Sequence, residues 1–73
     1  MRISFWIDEN DAFPFTFAAN HIVAVQIVLY LNGAGEGAHD VIVHANGGKF
    51  RFPYTGRNIS AKTNWEIWVE GQK

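Results

Sequence analysis

The sequence predicts an α+β protein, an antiparallel five-stranded sheet with one helix packed on one face, in the order β-β-α-β-β-β. Short segments in which apolar and polar residues alternate, as in half-buried strands, flank one longer apolar segment, residues 20–33. An Asn-Gly pair at 46–47 is the strongest hairpin signal in the chain. The 73 residues make a single domain, 1–73, near the size at which one core barely offsets chain entropy.

Composition limits what can stabilise this chain. There is no cysteine, so the core depends on the 48% of residues that are hydrophobic and the 15% that are aromatic. The first residues lack the apolar core of a signal peptide, and the longest apolar run, 22–31, is shorter than the roughly 20 residues that span a bilayer. We therefore expect a soluble, cytoplasmic protein that does not enter a membrane. The net charge of -1 argues against nucleic-acid binding driven by overall charge.

The first part of the chain predicts a β-hairpin. Residues 2–8 alternate as a strand, residues 9–12 have the composition of a turn, and residues 13–18 alternate as a second strand. Pro14 indicates that the second strand begins irregularly or lies at an edge. The inner face of the first strand would carry Ile3, Phe5 and Ile7.

Residues 20–33 are interpreted as the single helix, lying across the sheet. Their alternating branched residues also fit a strand, because Val and Ile are common in strands. Asn20 is a suitable N-cap, and Asn32 with Gly33 supplies a typical helix stop. We expect these boundary signals to outweigh the strand propensity of the residues between them.

The remaining segments predict three more strands. Residues 39–45 and 49–54 form a hairpin around the Asn-Gly pair, with a type I′ turn. Residues 55–64 are polar and predict a long loop, and residues 65–70 alternate as the fifth strand. The helix would cover the inner rows of all five strands, and the other face of the sheet would stay open to water or a partner.

Alternation places two tryptophans, Trp6 and Trp68, among charged residues on this open face. Large aromatic residues and arginine anchor many protein interfaces. The predicted partner-binding residues are Trp6, Trp68, Lys49, Arg51 and Glu66. Two structural alternatives stay open: the rings lie flat over the sheet or on Arg51, and the basic side chains pair with Glu66 and Glu70 across strands.

The segment 48–54, Gly-Lys-Phe-Arg-Phe-Pro-Tyr, interleaves basic and aromatic residues that could hold phosphates and stack bases. It resembles the RNA-binding strand of RRM and cold-shock domains, which implies binding of single-stranded nucleic acid. It departs from their pattern at Arg51 and Pro53, and alternation directs its phenylalanines inward. The residues of this alternative site are Lys49, Arg51, Tyr54, Arg57 and Lys62.

No metal, cofactor or catalytic site is expected. His21, His39 and His44 include no pair at ligand spacing on one face. A solvated turn accounts for the acidic residues at 8, 9 and 11. The glycine-rich residues 32–38 follow the predicted helix, whereas a phosphate-binding loop opens one, so we interpret them as a flexible connector.

The predicted order of elements also carries a resemblance. Phe-Thr-Phe-Ala-Ala-Asn leads from a strand into the predicted helix, and Asn-Gly-Gly-Lys-Phe-Arg-Phe follows in a hairpin. In outline this is similar to small phage and mobile-element proteins, including some type I anti-CRISPR inhibitors. The resemblance implies a non-enzymatic protein that occupies a surface of a larger assembly. We therefore expect a small module that binds a protein partner, with nucleic-acid binding or a structural homo-oligomer as the alternatives.

Overall fold

The computed structural model of the chain describes residues 1–8, 10, 12–31 and 37–72, and the side chains of these residues apart from 30 and 31. The described elements, in chain order, are β1 (Arg2–Phe5), β2 (Phe15–Ala18), a 3₁₀ turn (Ala19–His21), β3 (Ile22–Leu31), β4 (Gly37–Ala45), β5 (Gly48–Pro53) and α1 (Gly56–Gly71). The chain is an α+β protein whose strands pair antiparallel, as predicted. Its helix, however, follows all five strands.

The strands form two sheets, and the prediction of one five-stranded sheet is wrong. β1 and β2 make a two-stranded hairpin in which Phe5 lies opposite Phe15 and Ile3 opposite Phe17. The other three strands form a second sheet in the order β3-β4-β5. Because β1 ends at Phe5, Ile7 does not continue the inner row and is exposed.

The segment predicted as the helix is strand β3, and this prediction is wrong. β3 pairs with β4 from Ile22 opposite Ala45 to Leu31 opposite Gly37, with an irregularity between Ile22 and Ala24. The alternation of branched residues decides the structure because β4 offers a matching strand, and the long ladder outweighs the local signal of Asn20, which lies in the 3₁₀ turn. The expected helix stop at residues 32 and 33 lies outside the described residues.

The predicted loop 55–64 and the predicted strand 65–70 are together helix α1. Thr55 caps the helix: its side chain accepts a hydrogen bond from the backbone N–H of Asn58. The better-buried side chains then recur at helical spacing, at Asn58, Ala61, Trp65 and Trp68. The sequence prediction followed the alternation of residues 65–70 and missed this longer helical period. Two of the four residues that define the period are not large apolar ones, since Asn58 is polar and Ala61 is small.

The hairpin between β4 and β5 is confirmed, but its turn is not type I′. Ala45 pairs with Gly48 across the two-residue turn. Gly47 has a φ of 111°, whereas Asn46 does not have positive φ. A type I′ turn requires positive φ at both central residues, so this combination is that of a type II turn, which places glycine second.

The core lies between the inner face of the β3-β4-β5 sheet, the β1–β2 hairpin and α1. The ring of Phe52 stacks on Phe5 at a centroid distance of 5.3 Å, and Phe17 packs edge-on or tilted against Phe52 and Phe50. Val41 and Val43 are fully buried beneath them. The predicted inner rows of β1, β4 and β5 are confirmed in part: Ile3, Phe5, Val41, Val43 and Phe52 are buried, whereas Ile7 and Tyr54, beyond the ends of β1 and β5, are exposed. The hairpin and α1 cover this core, and residues 22–31 form a strand instead of the predicted helix.

Two further findings bear on the sequence predictions. The observed order places α1 last, so it differs from the order on which the resemblance to anti-CRISPR inhibitors rested, and that resemblance stays a prediction. Among the described residues, no helix has the length and hydropathy needed to cross a membrane.

Candidate functional site

The two tryptophans of the predicted binding face do not lie together. Trp6 follows β1, where its backbone N–H and C=O both bond to the side chain of Asn58, each at 2.8 Å. Trp68 lies on α1, half-buried and packed against the core. Since Asn58 and Trp68 are ten residues apart on one helix, about 15 Å of helix axis separates their positions.

The charged members of that predicted site are also divided between elements. Lys49 and Arg51 lie on β5, on the outer face of the three-stranded sheet, where Arg51 pairs with Asp40 at 3.3 Å. Glu66 lies on α1 and pairs with Lys62 at 3.0 Å. The prediction that Glu66 and Glu70 are cross-strand partners of the basic residues is wrong, because both belong to the helix.

The residues of the nucleic-acid hypothesis occupy three parts of the molecule. Lys49 and Arg51 point outward from β5, and Tyr54 lies beyond the end of that strand with its ring 5.1 Å from the ring of His39. Arg57 lies in the first turn of α1, and Lys62 lies in its second turn, where it pairs with Glu66. Binding of single-stranded nucleic acid stays a prediction, to be tested by its dependence on salt.

The structure draws attention to a surface outside the predicted sites, the free side of β3. We call this the β3 edge: the side of residues 24–31 that faces away from β4. β3 is a terminal strand of its sheet, and no strand among the described residues pairs with its other side. In an antiparallel ladder, alternate residues direct their backbone N–H and C=O groups away from the neighbour, so this side offers unpaired hydrogen-bonding groups.

The two terminal strands of this sheet differ in chemistry. β5 carries Lys49 and Arg51 and ends at Pro53, which are features that protect a strand from pairing with another chain. β3 contains ten residues without a charge, a proline or a glycine. Among the described residues, the one such feature within β3 is the irregularity between Ile22 and Ala24. The β3 edge is therefore the side of the sheet open to an added strand.

An apolar surface adjoins this edge. Ile27 shares a row with Val41 and Phe52 on the inner face, yet it is 40% exposed, whereas both of those residues are buried. Leu29, one row further along, is 56% exposed. We call the following exposed side chains the apolar extension: Phe15, Ile27, Leu29 and Tyr54.

Sequence reasoning missed both features for one reason. The helix predicted for residues 20–33 contains Ile27 and Leu29, and a helix has no unpaired edge to which a strand could be added. The signal that could have identified them is the uncharged, glycine-free and proline-free alternation of residues 22–31, which is typical of a strand that needs a partner on each side.

The other polar residues of the sheet serve its structure. On the outer face, the His44 ring hydrogen-bonds the side chain of Gln26 at 2.9 Å across the β3–β4 pair. Searching the described part of the chain reveals no group of three or more His, Cys, Asp or Glu placed to hold a metal ion.

Comparison with known proteins adds no relative. No protein-family model matches the chain, no curated protein matches it, and no solved structure matches its fold.

Proposed function

We propose that this chain is a small, non-enzymatic binding module that engages a protein partner by adding the partner's strand to the β3 edge. The observation that carries the proposal is the contrast between the uncharged, ten-residue β3 and the charged, proline-terminated β5 in the same sheet. Backbone hydrogen bonds along the edge supply affinity in this mode, and alternate side chains supply specificity.

The apolar extension defines the chemistry of the partner. An added strand directs every second side chain to the inner face, next to Ile27 and Leu29, where apolar residues gain the most from burial. β3 has no charge to pair with, so a charged partner strand would lose solvation without compensation. The partner strand is therefore extended, uncharged at its centre and rich in aliphatic residues.

β3 itself meets this description, so a second copy of the chain is one such partner. Two copies of β3 can pair antiparallel about a two-fold axis perpendicular to the sheet, with the same residues used on both sides. The resemblance to type I anti-CRISPR inhibitors, which rests on the predicted order of elements, implies another class of partner. That partner would be a protein subunit of a nucleoprotein assembly.

The test uses Leu29→Lys, which places a charge on the apolar extension, and Ile67→Lys as its matched control. Ile67 is 65% exposed on α1, so the control adds the same charge at a similarly exposed aliphatic position on another element. Sedimentation equilibrium over a range of concentrations first measures self-association of the wild type and both variants. Affinity capture from a lysate then compares the three proteins, and each captured partner is purified and its binding measured directly.

The expected result is an association, with a second copy or with a purified partner, that Leu29→Lys weakens at least about tenfold and Ile67→Lys leaves unchanged. Equal binding by both variants would show that the β3 edge is not the binding surface. A wild-type monomer for which no captured protein binds directly would contradict the proposal as a whole.

A further inference from the structure

A groove separates β1 from the first half of α1, on the side of the molecule that the proposed function does not use. Its volume is about 560 Å³. One wall comes from the start of the chain and β1, and the other from one face of α1. Its lining residues are Met1, Arg2, Ile3, Ser4, Trp6, Gly56, Arg57, Ser60, Ala61 and Asn64.

The lining of this groove is positively charged. It contains two arginines, Arg2 and Arg57, and none of the described residues in it is an aspartate or a glutamate. The ion pairs found among the described residues lie elsewhere, between Arg51 and Asp40 and within α1. In a chain whose net charge is -1, two guanidinium groups in one groove concentrate positive charge where no described carboxylate neutralises it.

Two neighbouring side chains, Trp6 and Asn58, restrict the position of Arg57 in the groove. The guanidinium carbon of Arg57 lies 5.3 Å from the centroid of the Trp6 ring, a distance at which a cation is attracted to the aromatic face. Trp6 is anchored in turn by its two backbone hydrogen bonds to fully buried Asn58. Arg57 therefore starts from a restricted position, so less freedom is lost when its N–H groups bind a ligand.

Neutral side chains that can donate hydrogen bonds line the same groove. Ser60 and Asn64 line the same wall one turn apart, and both are exposed. Arginine N–H groups match the oxygens of phosphate in pairs, and hydroxyl and amide groups complete such sites. A carboxylate is a poorer match for this groove than a phosphate, because its two oxygens cannot accept hydrogen bonds from two arginines and the further donors together.

We propose that this groove binds a small molecule that carries a phosphate group, with Arg2 and Arg57 as the residues that hold the phosphate oxygens. Trp6 borders the position of the organic part, and Ser60 and Asn64 donate hydrogen bonds. The site is separate from the β3 edge, so a ligand in the groove leaves strand addition free.

The test is a titration of the ¹⁵N-labelled protein, followed by NMR amide shifts, with three probes at constant ionic strength. The probes are sodium chloride, inorganic phosphate and phenyl phosphate. The variants are Arg2→Gln and Arg57→Gln, and Arg51→Gln is the matched control because Arg51 lies on the outer sheet face beside Asp40. Thermal denaturation of each variant checks that its fold is retained.

The expected result is a saturable shift of amides in residues 2–6 and 56–64 with phenyl phosphate, with weaker binding of inorganic phosphate and no saturation by chloride. Arg2→Gln and Arg57→Gln each reduce the affinity about tenfold or more, whereas Arg51→Gln leaves it unchanged. Equal saturation by inorganic and phenyl phosphate would overturn the role of the organic part. Absence of saturation, or equal loss in all three variants, would overturn the site.

Discussion

Asn58 joins three parts of the molecule through one side chain. Its amide N–H groups donate to the carbonyl oxygens of Trp6 and Pro53, each at 2.8 Å, and its carbonyl oxygen accepts from the backbone N–H of Trp6. It is fully buried and is the buried polar residue of the described chain. An amide suits this position because it donates and accepts at once, which neither a carboxylate nor an aliphatic group does.

Asn58→Ala should therefore lower the free energy of unfolding by about 3 kcal/mol, because it leaves three backbone groups without their partner. Urea denaturation followed by circular dichroism measures the change. Asn64→Ala is the control on the same helix: Asn64 is exposed, and its loss should change stability by no more than about 0.5 kcal/mol. A similar cost for both substitutions would show that the hydrogen bonds of Asn58 contribute little.

Gly47 matters to the β4–β5 turn because of its positive φ angle and not because of crowding around it. Its φ is 111°, and a Cβ atom placed on it would meet no atom within 4 Å. Gly47→Ala should cost about 1 kcal/mol or more of unfolding free energy from backbone strain alone.

Gly56→Ala is the corresponding control, because Gly56 also has open space around it but lies in α1 without positive φ. This substitution should stabilise the protein by about 0.4–1 kcal/mol, since alanine restricts the unfolded chain. Thermal melts of the two variants should thus shift in opposite directions, and a shift in the same direction would contradict the turn geometry.

At the scale of the element, α1 depends on its cap and its contacts more than on its sequence period. Thr55 stands before the helix with extended backbone angles, and its hydroxyl accepts from Asn58 N–H at 3.2 Å. The Trp65 indole N–H donates to the carbonyl of Ala19 at 3.1 Å, which ties the middle of the helix to the 3₁₀ turn before β3. A helix of this length gains most of its stability from such packing.

Thr55→Ala removes the cap and should cost about 1 kcal/mol in urea denaturation. Thr63→Ala tests the same chemical change inside the helix, at an exposed position. There alanine is the better helix former, so the variant should be neutral or more stable by a few tenths of a kcal/mol. The cap explanation fails if Thr55→Ala is no more costly than Thr63→Ala.

At the scale of the whole molecule, stability depends on one aromatic cluster that joins both sheets. Phe52 from β5 contacts Phe5 and Phe17 from the hairpin at ring distances of 5.3 and 6.3 Å, and Phe15 at 5.8 Å. Since no described strand of the hairpin pairs with a strand of the three-stranded sheet, these ring contacts connect the two sheets, together with the hydrogen bonds of Asn58 to Trp6 and Pro53. The cluster therefore sets whether the two sheets form one cooperative unit.

Phe52→Ala should cost about 3–5 kcal/mol, which equals the whole stability expected of a core this small. The variant should be largely unfolded at 25 °C in near-ultraviolet circular dichroism, whereas Ile67→Ala, at a 65% exposed position, should melt like the wild type. A cooperative melt of Phe52→Ala close to that of the wild type would show that the cluster is not needed to connect the two sheets.

Much of the local structure follows from the sequence, and the exceptions share a cause. Alternation identified β1, β2, β4 and β5, and the Asn-Gly pair located the hairpin between the last two. One error arose at residues 22–31, where two local signals disagreed, and the other at residues 56–71, where two of the better-buried helix positions, Asn58 and Ala61, are polar or small. Strand and helix propensities differ by only about 1 kcal/mol in such cases, so distant residues decide.

The candidate sites were less predictable than the fold. Arg57 belongs to the residues of the alternative site predicted from the sequence, but Arg2, the other arginine that lines the groove, is 55 positions away in the chain. Similarly, Leu29 is 56% exposed although it lies on the inner face, and this depends on how the other elements pack on the sheet. Neither feature leaves a local pattern in the chain.

The sequence by itself determined the α+β class, the strands β1, β2, β4 and β5 with the two hairpins that they form, and the aromatic inner positions at Phe5, Phe50 and Phe52, because each depends on alternation or on turn chemistry within a few residues. The tertiary structure decided which segment became the helix, how the strands divided into two sheets, and which surfaces stayed open. Those outcomes depend on contacts between distant parts of the chain, such as the bonds of Asn58 to Trp6 and the pairing of β3 with β4. These interactions join residues that are far apart in the sequence, so their free energies cannot be inferred from any local segment.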